Sequence, residues 1–268
     1  MPSFGQRCYW PYKKSLNKEN KWIALPEIIR AHGFWIRNGE KMSKSMSNFI
    51  SLPVLNAYSE IYGYDAIRFF LISTGPNEGS DADFSEDRLY ETYTSLLANT
   101  FGNCCSRVIV MIAKYCEAKI PVHKIESGFP IMQVMESIKT AVSLAIESEF
   151  PILITEAFKI VRLTDAFLQN RAPFQLIKNK SRFPEVCAIL YDSLEALRLA
   201  SMLLWPIMPE SMQKFWSAIS FDNQMLELIN GGLAEPKKIL HWGQLSVGAS
   251  VSKSITLFPR IERSTVNI

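Results

Sequence analysis

Histidine is scarce in this chain: three residues in 268, at His32, His123 and His241. Histidines so isolated supply no zinc-type ligand set, which needs several His or Cys side chains at short spacings. The five cysteines include no Cys-x-x-Cys pair. Adjacent Cys104 and Cys105 fall on a helical stretch, where packing is a simpler role than nucleophilic attack. An odd, scattered set of thiols fits a reducing compartment better than a disulfide framework. No run of 18 apolar residues occurs, so no transmembrane helix is expected. Met1 to Arg7 form neither an apolar secretory core nor an Arg-rich amphipathic leader. Internal repeats and low-complexity tracts are lacking as well. A net charge of +3 is too small to point to nucleic acid, yet it does not oppose a polyanionic partner.

Apolar residues, by contrast, are plentiful: 48% of the chain, ample for one large or two modest domains. The informative stretch is short. His32-Gly33-Phe34-Trp35-Ile36 alternates and is rich in β-forming residues, which predicts a strand. Asn38-Gly39 then suits a two-residue hairpin turn, whose central positions both need positive φ. Beyond it, Lys41-Met42-Ser43-Lys44-Ser45 forms a loop before Leu52-Pro53 opens a helix. Two ammonium groups and two hydroxyls in one loop suit a polyphosphate. A solvated lysine loop is the plain alternative.

Helical spacing dominates the rest. The pattern predicts helices from about Pro53 to Tyr62, stopped by Gly63, and from Asp65 to Ser73, with Asp65 favourable to the helix dipole. Gly75 to Gly79 and Asp81 to Ser85 read as loop, with Ser85 as an N-cap. Leu89, Tyr93, Leu97, Phe101, Cys104, Val108, Ile112 and Tyr115 predict one long helix over Glu86–Glu117. Further helices are predicted at about Ile131–Glu149, Pro151–Gln169 and Pro184–Leu204, with a shorter one after Pro206 or Pro209. Pro-bounded helices with short links describe an α-helical bundle. From Asn230-Gly231-Gly232 onward the pattern dissolves.

Asn103 and Arg107 stand four apart on the long helix and share one face near the edge of its apolar stripe. An amide and a planar guanidinium together can read the Watson–Crick edge of an unstacked base. By spacing alone, an ordinary exposed polar pair is the simpler reading. Phe174, after Ala172-Pro173, could stack on a base or sit in the core. Arg171, Lys178, Lys180 and Arg182 make a basic neighbourhood suited to phosphates, or a solvated face. Trp205, Trp216 and Trp242 read as packing aromatics.

The string Lys41 to Ser45 resembles the second signature of the class I aminoacyl-tRNA synthetases. Its surroundings, His32 to Trp35, Gly39-Glu40 and Asp65-Ala66-Ile67-Arg68-Phe69-Phe70-Leu71, look like a methionyl-tRNA synthetase of bacterial or organellar type. Tyr9-Trp10-Pro11 and Leu25-Pro26 with Ile29 match that family's last helix and strand before the signature loop. The resemblance covers essentially the whole chain but only the C-terminal half of the enzyme. It implies a mainly α chain: the truncated C-terminal end of a Rossmann-like α/β catalytic domain (1–50), a stem-contact fold (51–84), an α-helical anticodon-binding bundle (85–240) and a closing segment packing back (241–268).

The resemblance further implies methionine–tRNA ligase activity with methionine, ATP with Mg2+ and methionine tRNA as substrates, and no membrane. Lys41 and Lys44 become the catalytic cations, Lys44 foremost. Met42, Ser43 and Ser45 complete the ATP-binding loop, Met42 as a packing anchor. Asn103 and Arg107 become readers of the first anticodon base, with Phe174 where the family has a stacking tryptophan. Departures are equally specific. Ser47-Asn48 replaces a Gly-Asn, Gln6 stands where a histidine is usual, and no His-x-Gly-His segment or zinc-binding subdomain is present. The chain alone is therefore expected to activate methionine poorly unless a separate N-terminal catalytic half is supplied. A non-catalytic anticodon-binding protein, or a reading frame extending upstream of Met1, is the alternative. A mitochondrial matrix location is expected, with the cytoplasm as alternative.

Overall fold

The structure is a computed structural model that describes residues 31–37, 39–43, 45–46, 48–76, 80–146, 150–221 and 240–263. The early motif from Gln6 to Ile29, together with Lys44, Ser47 and the Asn230-Gly231-Gly232 turn, lies outside the described residues. The described chain is mainly α-helical.

A three-stranded sheet comes first, in the order β2-β1-β3. Strands β1 (Trp35–Arg37) and β2 (Glu40–Lys41) pair antiparallel with Arg37 opposite Glu40, the register of a two-residue turn, of which Asn38 lies outside the described residues. Gly39 supplies the φ of +77° that such a turn requires. The strand is shorter than predicted: 31–34 lie outside it, although the Phe34 carbonyl accepts the Ala82 N–H at 2.9 Å and Gly33 runs against the loop at Ser80. There the approach is so close that a methyl added at Gly33 would sit 2.2 Å from the Ser80 carbonyl oxygen. Strand β3 (Ala82–Asp83), expected as loop, pairs parallel with β1.

Helices α1 (Leu52–Tyr62) and α2 (Tyr64–Thr74) follow, separated by Gly63 alone. Phe69 and Phe70 of α2 are fully buried, and Phe69 lies 5.6 Å from the Phe158 ring of α6 (Pro151–Arg171). Burying such a side chain is worth roughly 1.5–3 kcal/mol. Asp65 does more than suit its own helix. Its carboxylate accepts the Ser211 backbone N–H at 2.6 Å and so caps α9 (Pro209–Ala218). Arg68, one turn along, donates to the Pro206 and Ile207 carbonyls. Helix α2 thus holds both sides of the Pro206–Pro209 corner.

The predicted long helix forms as three continuous pieces: α3 (Glu86–Thr92), a ten-residue π-helical segment (Tyr93–Gly102) and α4 (Asn103–Tyr115). Ser85 caps α3 by accepting the Arg88 N–H at 3.2 Å. The π segment was not foreseen, although Leu89, Tyr93, Leu97 and Phe101 repeat every four residues. On an α-helix such a repeat drifts by about 40° per step; a wider turn reverses the sense of that drift. All four side chains are buried. The run Glu86–Tyr115 is long and apolar enough on average to cross a membrane, but half of its most apolar window is buried in the core.

Helix α5 (Ile131–Ile146), α6 and α8 (Phe183–Leu204) pack side by side, with the short α7 (Pro173–Leu176) and a 3-10 turn, Lys180–Arg182, joining α6 to α8. Nearly every α8 residue from Val186 to Leu204 is buried, which makes it the central element. Two charges are enclosed with it. Glu195 and Arg198, both fully buried, form a two-bond ion pair at 2.7 and 2.9 Å.

The last described segment, 240–263, is laid across these helices and gripped largely by its main chain. Glu195 accepts the Gly243 and Gln244 N–H groups at 2.7 and 2.9 Å, and Arg198 donates to the His241 carbonyl. Lys214 reaches the Thr256 carbonyl, Tyr93 the Pro259 carbonyl and Ser220 the Ser250 carbonyl. Val251, Leu257 and Phe258 enter the core, Phe258 against Gly102 and the Tyr93 and Phe101 rings.

Candidate functional site

The lysine–serine loop is set by the hairpin before it and by one asparagine behind it. Asn48 accepts the Ser43 backbone N–H at 2.8 Å and donates to the Lys41 carbonyl at 3.2 Å, closing the loop with one side chain. Ser43 Oγ accepts from the Met46 N–H and lies 3.2 Å from Ser45 Oγ. The Ser43 hydroxyl is therefore partly spent on the loop backbone, and the Ser45 hydroxyl on Ser43. Lys41 is exposed, with Nζ 3.8 Å above the exposed Phe34 ring. A cation parked on an aromatic face gains about 0.5–1 kcal/mol at an exposed site, little enough to yield to a phosphate. Met42 is half-buried and packs against the core. Asn48 is the residue that sequence reasoning gave no role; its contact reaches five residues back, outside the local side-chain patterns that spacing reveals. His32, expected to contact the domain interior or the adenylate side, is exposed, its Nδ1 close to its neighbour's carbonyl.

The second group lies some distance along the chain. Asn103 opens α4 and is exposed; Arg107, one turn on, is half-buried. The Arg107 guanidinium does not stand free. Asp165 of α6 binds Nη1, and the other Asp165 oxygen accepts from Gln169 at 2.7 Å. Spacing could not foresee a partner 58 residues away. Phe174 is 47% exposed on α7, directly after the buried Pro173. Its presentation depends on Ala172, which ends α6 with φ +44°, a left-handed conformation unusual for alanine.

The basic neighbourhood is partly neutralised. Arg171 and Arg182 both pair with Glu185, at 2.7 Å each, whereas Lys178 and Lys180 are exposed. Burial pushes the Cys104 thiol up to about 12 and Cys105 higher than its ordinary value, so neither is a thiolate at neutral pH. Trp216 is buried in the core and donates to Ser201 at 2.7 Å. Among the described residues, no three His, Cys, Asp or Glu side chains converge as metal ligands.

Chemically, the first group offers cations and hydroxyls to phosphate. The second offers an amide, a guanidinium and an exposed ring, the parts that recognise an unstacked base.

Comparison with known proteins bears on both groups. Residues 7–109 match the family described as tRNA synthetases class I (M). The methionine–tRNA ligase of Streptomyces coelicolor is 32% identical over 251 residues, covering 90% of this chain and 44% of that protein. That of Halalkalibacterium halodurans is 29% identical over 246 residues, covering 90% and 35% respectively. A crystal structure of Mycobacterium tuberculosis methionyl-tRNA synthetase bound by methionyl-adenylate shares the fold, with a TM-score of 0.74 at 23% identity over 88% of this chain and 45% of that one. The chain spans between about a third and a half of the length of these relatives. Across nine-tenths of its length this chain is similar to methionine–tRNA ligases, and its residues 7–109 match the class I (M) tRNA synthetases.

Proposed function

We propose that the chain serves in the ATP-dependent attachment of methionine to its tRNA, as the part of a methionine–tRNA ligase that carries the phosphate-facing loop and the anticodon-reading helices. In this reading residues 1–50 end the catalytic domain, 51–84 form the stem-contact fold, 85–240 the anticodon-binding bundle and 241–268 return along it. The observation that carries it is the second group of residues. Exposed Asn103 and half-exposed Arg107 share one face of α4, and Phe174 is exposed just beyond the end of α6, the helix whose Asp165 holds Arg107.

Amino-acid activation joins the methionine carboxylate to the α-phosphorus of ATP and breaks the bond to pyrophosphate. Charge develops on the leaving group, so positioned cations lower the barrier. Lys41 leaving the Phe34 ring, together with Lys44, would supply them; Ser43 and Ser45 fix the loop and donate to phosphate oxygens. The magnesium ion arrives with the triphosphate. The proposed partners are methionine, ATP, methionine tRNA and, for activation, a polypeptide bearing the N-terminal catalytic half; no membrane takes part. The proposal puts this in the mitochondrial matrix, with the cytoplasm as alternative, and a fluorescent fusion distinguishes them.

Binding of a methionine tRNA transcript tests the reading. Asn103→Ala and Arg107→Ala each weaken binding by about 10- to 100-fold, as expected for loss of a base contact worth roughly 1–3 kcal/mol. A transcript altered at the first anticodon base loses a similar factor against the unaltered chain. Equal binding of both transcripts, with neither substitution having an effect, would overturn the proposal. The second reading, anticodon binding without catalysis, rests on Asn103, Arg107 and Phe174 alone. Methionine-dependent ATP–pyrophosphate exchange by these residues alone would reject it.

A further inference from the structure

Away from both groups, a pocket of about 560 Å³ opens between the stretch linking α4 to α5, the side of α8 and the tail. That volume is in the range of small-molecule sites. One wall is the stacked pair Phe129 and Trp242, with ring centroids 5.5 Å apart. At the back lies Asp192 of α8, only 5% exposed. Its Oδ2 accepts the Ser127 hydroxyl at 2.5 Å, and Ser127 Oγ in turn accepts the Phe129 N–H at 3.0 Å, which commits the hydroxyl. Among the described residues, no donor reaches Asp192 Oδ1.

A carboxylate so enclosed, with one neutral donor, is under-compensated. Burial accordingly pushes the Asp192 carboxyl above the ordinary carboxylate range, opposed by the Ser127 hydrogen bond and by His123 nearby. His123 is itself stacked on the Tyr191 ring at 4.1 Å. Glu126 and Lys124 complete the charges of the lining, which is therefore net acidic at neutral pH on a chain that is net basic overall. Such a lining repels phosphate and favours a cation. The aromatic wall favours a cation with an organic stem over a hydrated metal ion.

We propose that this pocket binds a guanidinium or primary ammonium carried on a short stem, with Asp192 as counter-ion and the Phe129–Trp242 pair as the surface the stem lies against. The group can come from a free amine or from a basic side chain of a partner polypeptide. The inference is independent of the tRNA-binding reading, because it uses none of the same residues.

Agmatine is the probe for the free amine, and a short peptide with one central arginine is the probe for the side chain. Their neutral counterparts are butylurea and the alanine peptide. Titration into the ¹⁵N-labelled full chain should move the Gly128, Phe129 and Trp242 indole N–H signals saturably with the cationic probes alone. Asp192→Asn keeps the shape and the Ser127 contact and should cost at least about tenfold in affinity for either cation. Should that variant fold poorly, exposed Lys124→Gln serves instead: removing the competing charge should strengthen binding by about two- to threefold at low salt, which a purely structural Asp192 would not produce. A tighter peptide than agmatine assigns the side-chain source, and the reverse assigns the free amine. Absence of saturable shifts, equal shifts with the neutral probes, or unchanged affinity in both variants would overturn the proposal.

Discussion

Replacing Glu195 by alanine tests how the helices hold the tail. Glu195 is fully buried and makes four contacts at once: two hydrogen bonds from Arg198 and one each from the Gly243 and Gln244 N–H groups. Removal leaves the Arg198 charge enclosed, still donating to the His241 carbonyl and lying 5.0 Å from the Phe221 ring. Breaking a buried pair from one side costs about 3–5 kcal/mol, because the surviving charge loses the Glu195 carboxylate. Two deprived backbone donors push the value toward the upper end. Removing both charges, as in Glu195→Met with Arg198→Met, should cost clearly less than the sum of the single changes. Urea unfolding measures each variant, and amide exchange at Gly243 and Gln244 reports whether the tail loosens first. A loss under about 1 kcal/mol for Glu195→Ala, or strict additivity in the double variant, would refute the reasoning.

Three other outcomes follow from the geometry. Ala172→Gly should stabilise the chain by about 1 kcal/mol in urea, because alanine at φ +44° is strained and glycine is not. Asp65→Ala should destabilise by about 1–2 kcal/mol through the uncapped start of α9, whereas Asp65→Asn should recover part of it. Burial pushes Tyr62 and Tyr93 up to about 12, above the value near 10 of the unfolded chain. Their contribution is complete below pH 10 and is lost as pH rises toward 12, so tyrosinate absorbance and unfolding should appear together in that window.

What could be read in advance was local. Proline at the first turns of α1, α6, α8 and α9 marked their starts, Gly63 separated α1 from α2, and Gly39 supplied the positive φ between the hairpin strands. These signals act within a few residues, where sterics decide. The unforeseen features join distant positions. Pairing of β1 with β3, Asp65 at the start of α9, Asp165 on Arg107 and Glu185 between two arginines depend on which surfaces meet. Spacing along one helix carries no such information. The π segment is an intermediate case: its four-residue repeat was visible, but both a drifting α stripe and a wider turn fit it.

The tail contributes carbonyls and amides to most of its hydrogen bonds with the helices, while the body contributes the side chains. A ribbon held in that way is indifferent to most of its own letters and sensitive to its count. Point changes at exposed positions such as Lys253 or Ser254 should pass almost unnoticed. Deleting a single residue between Leu245 and Thr256, by contrast, would slide several anchored peptide groups off their mates together.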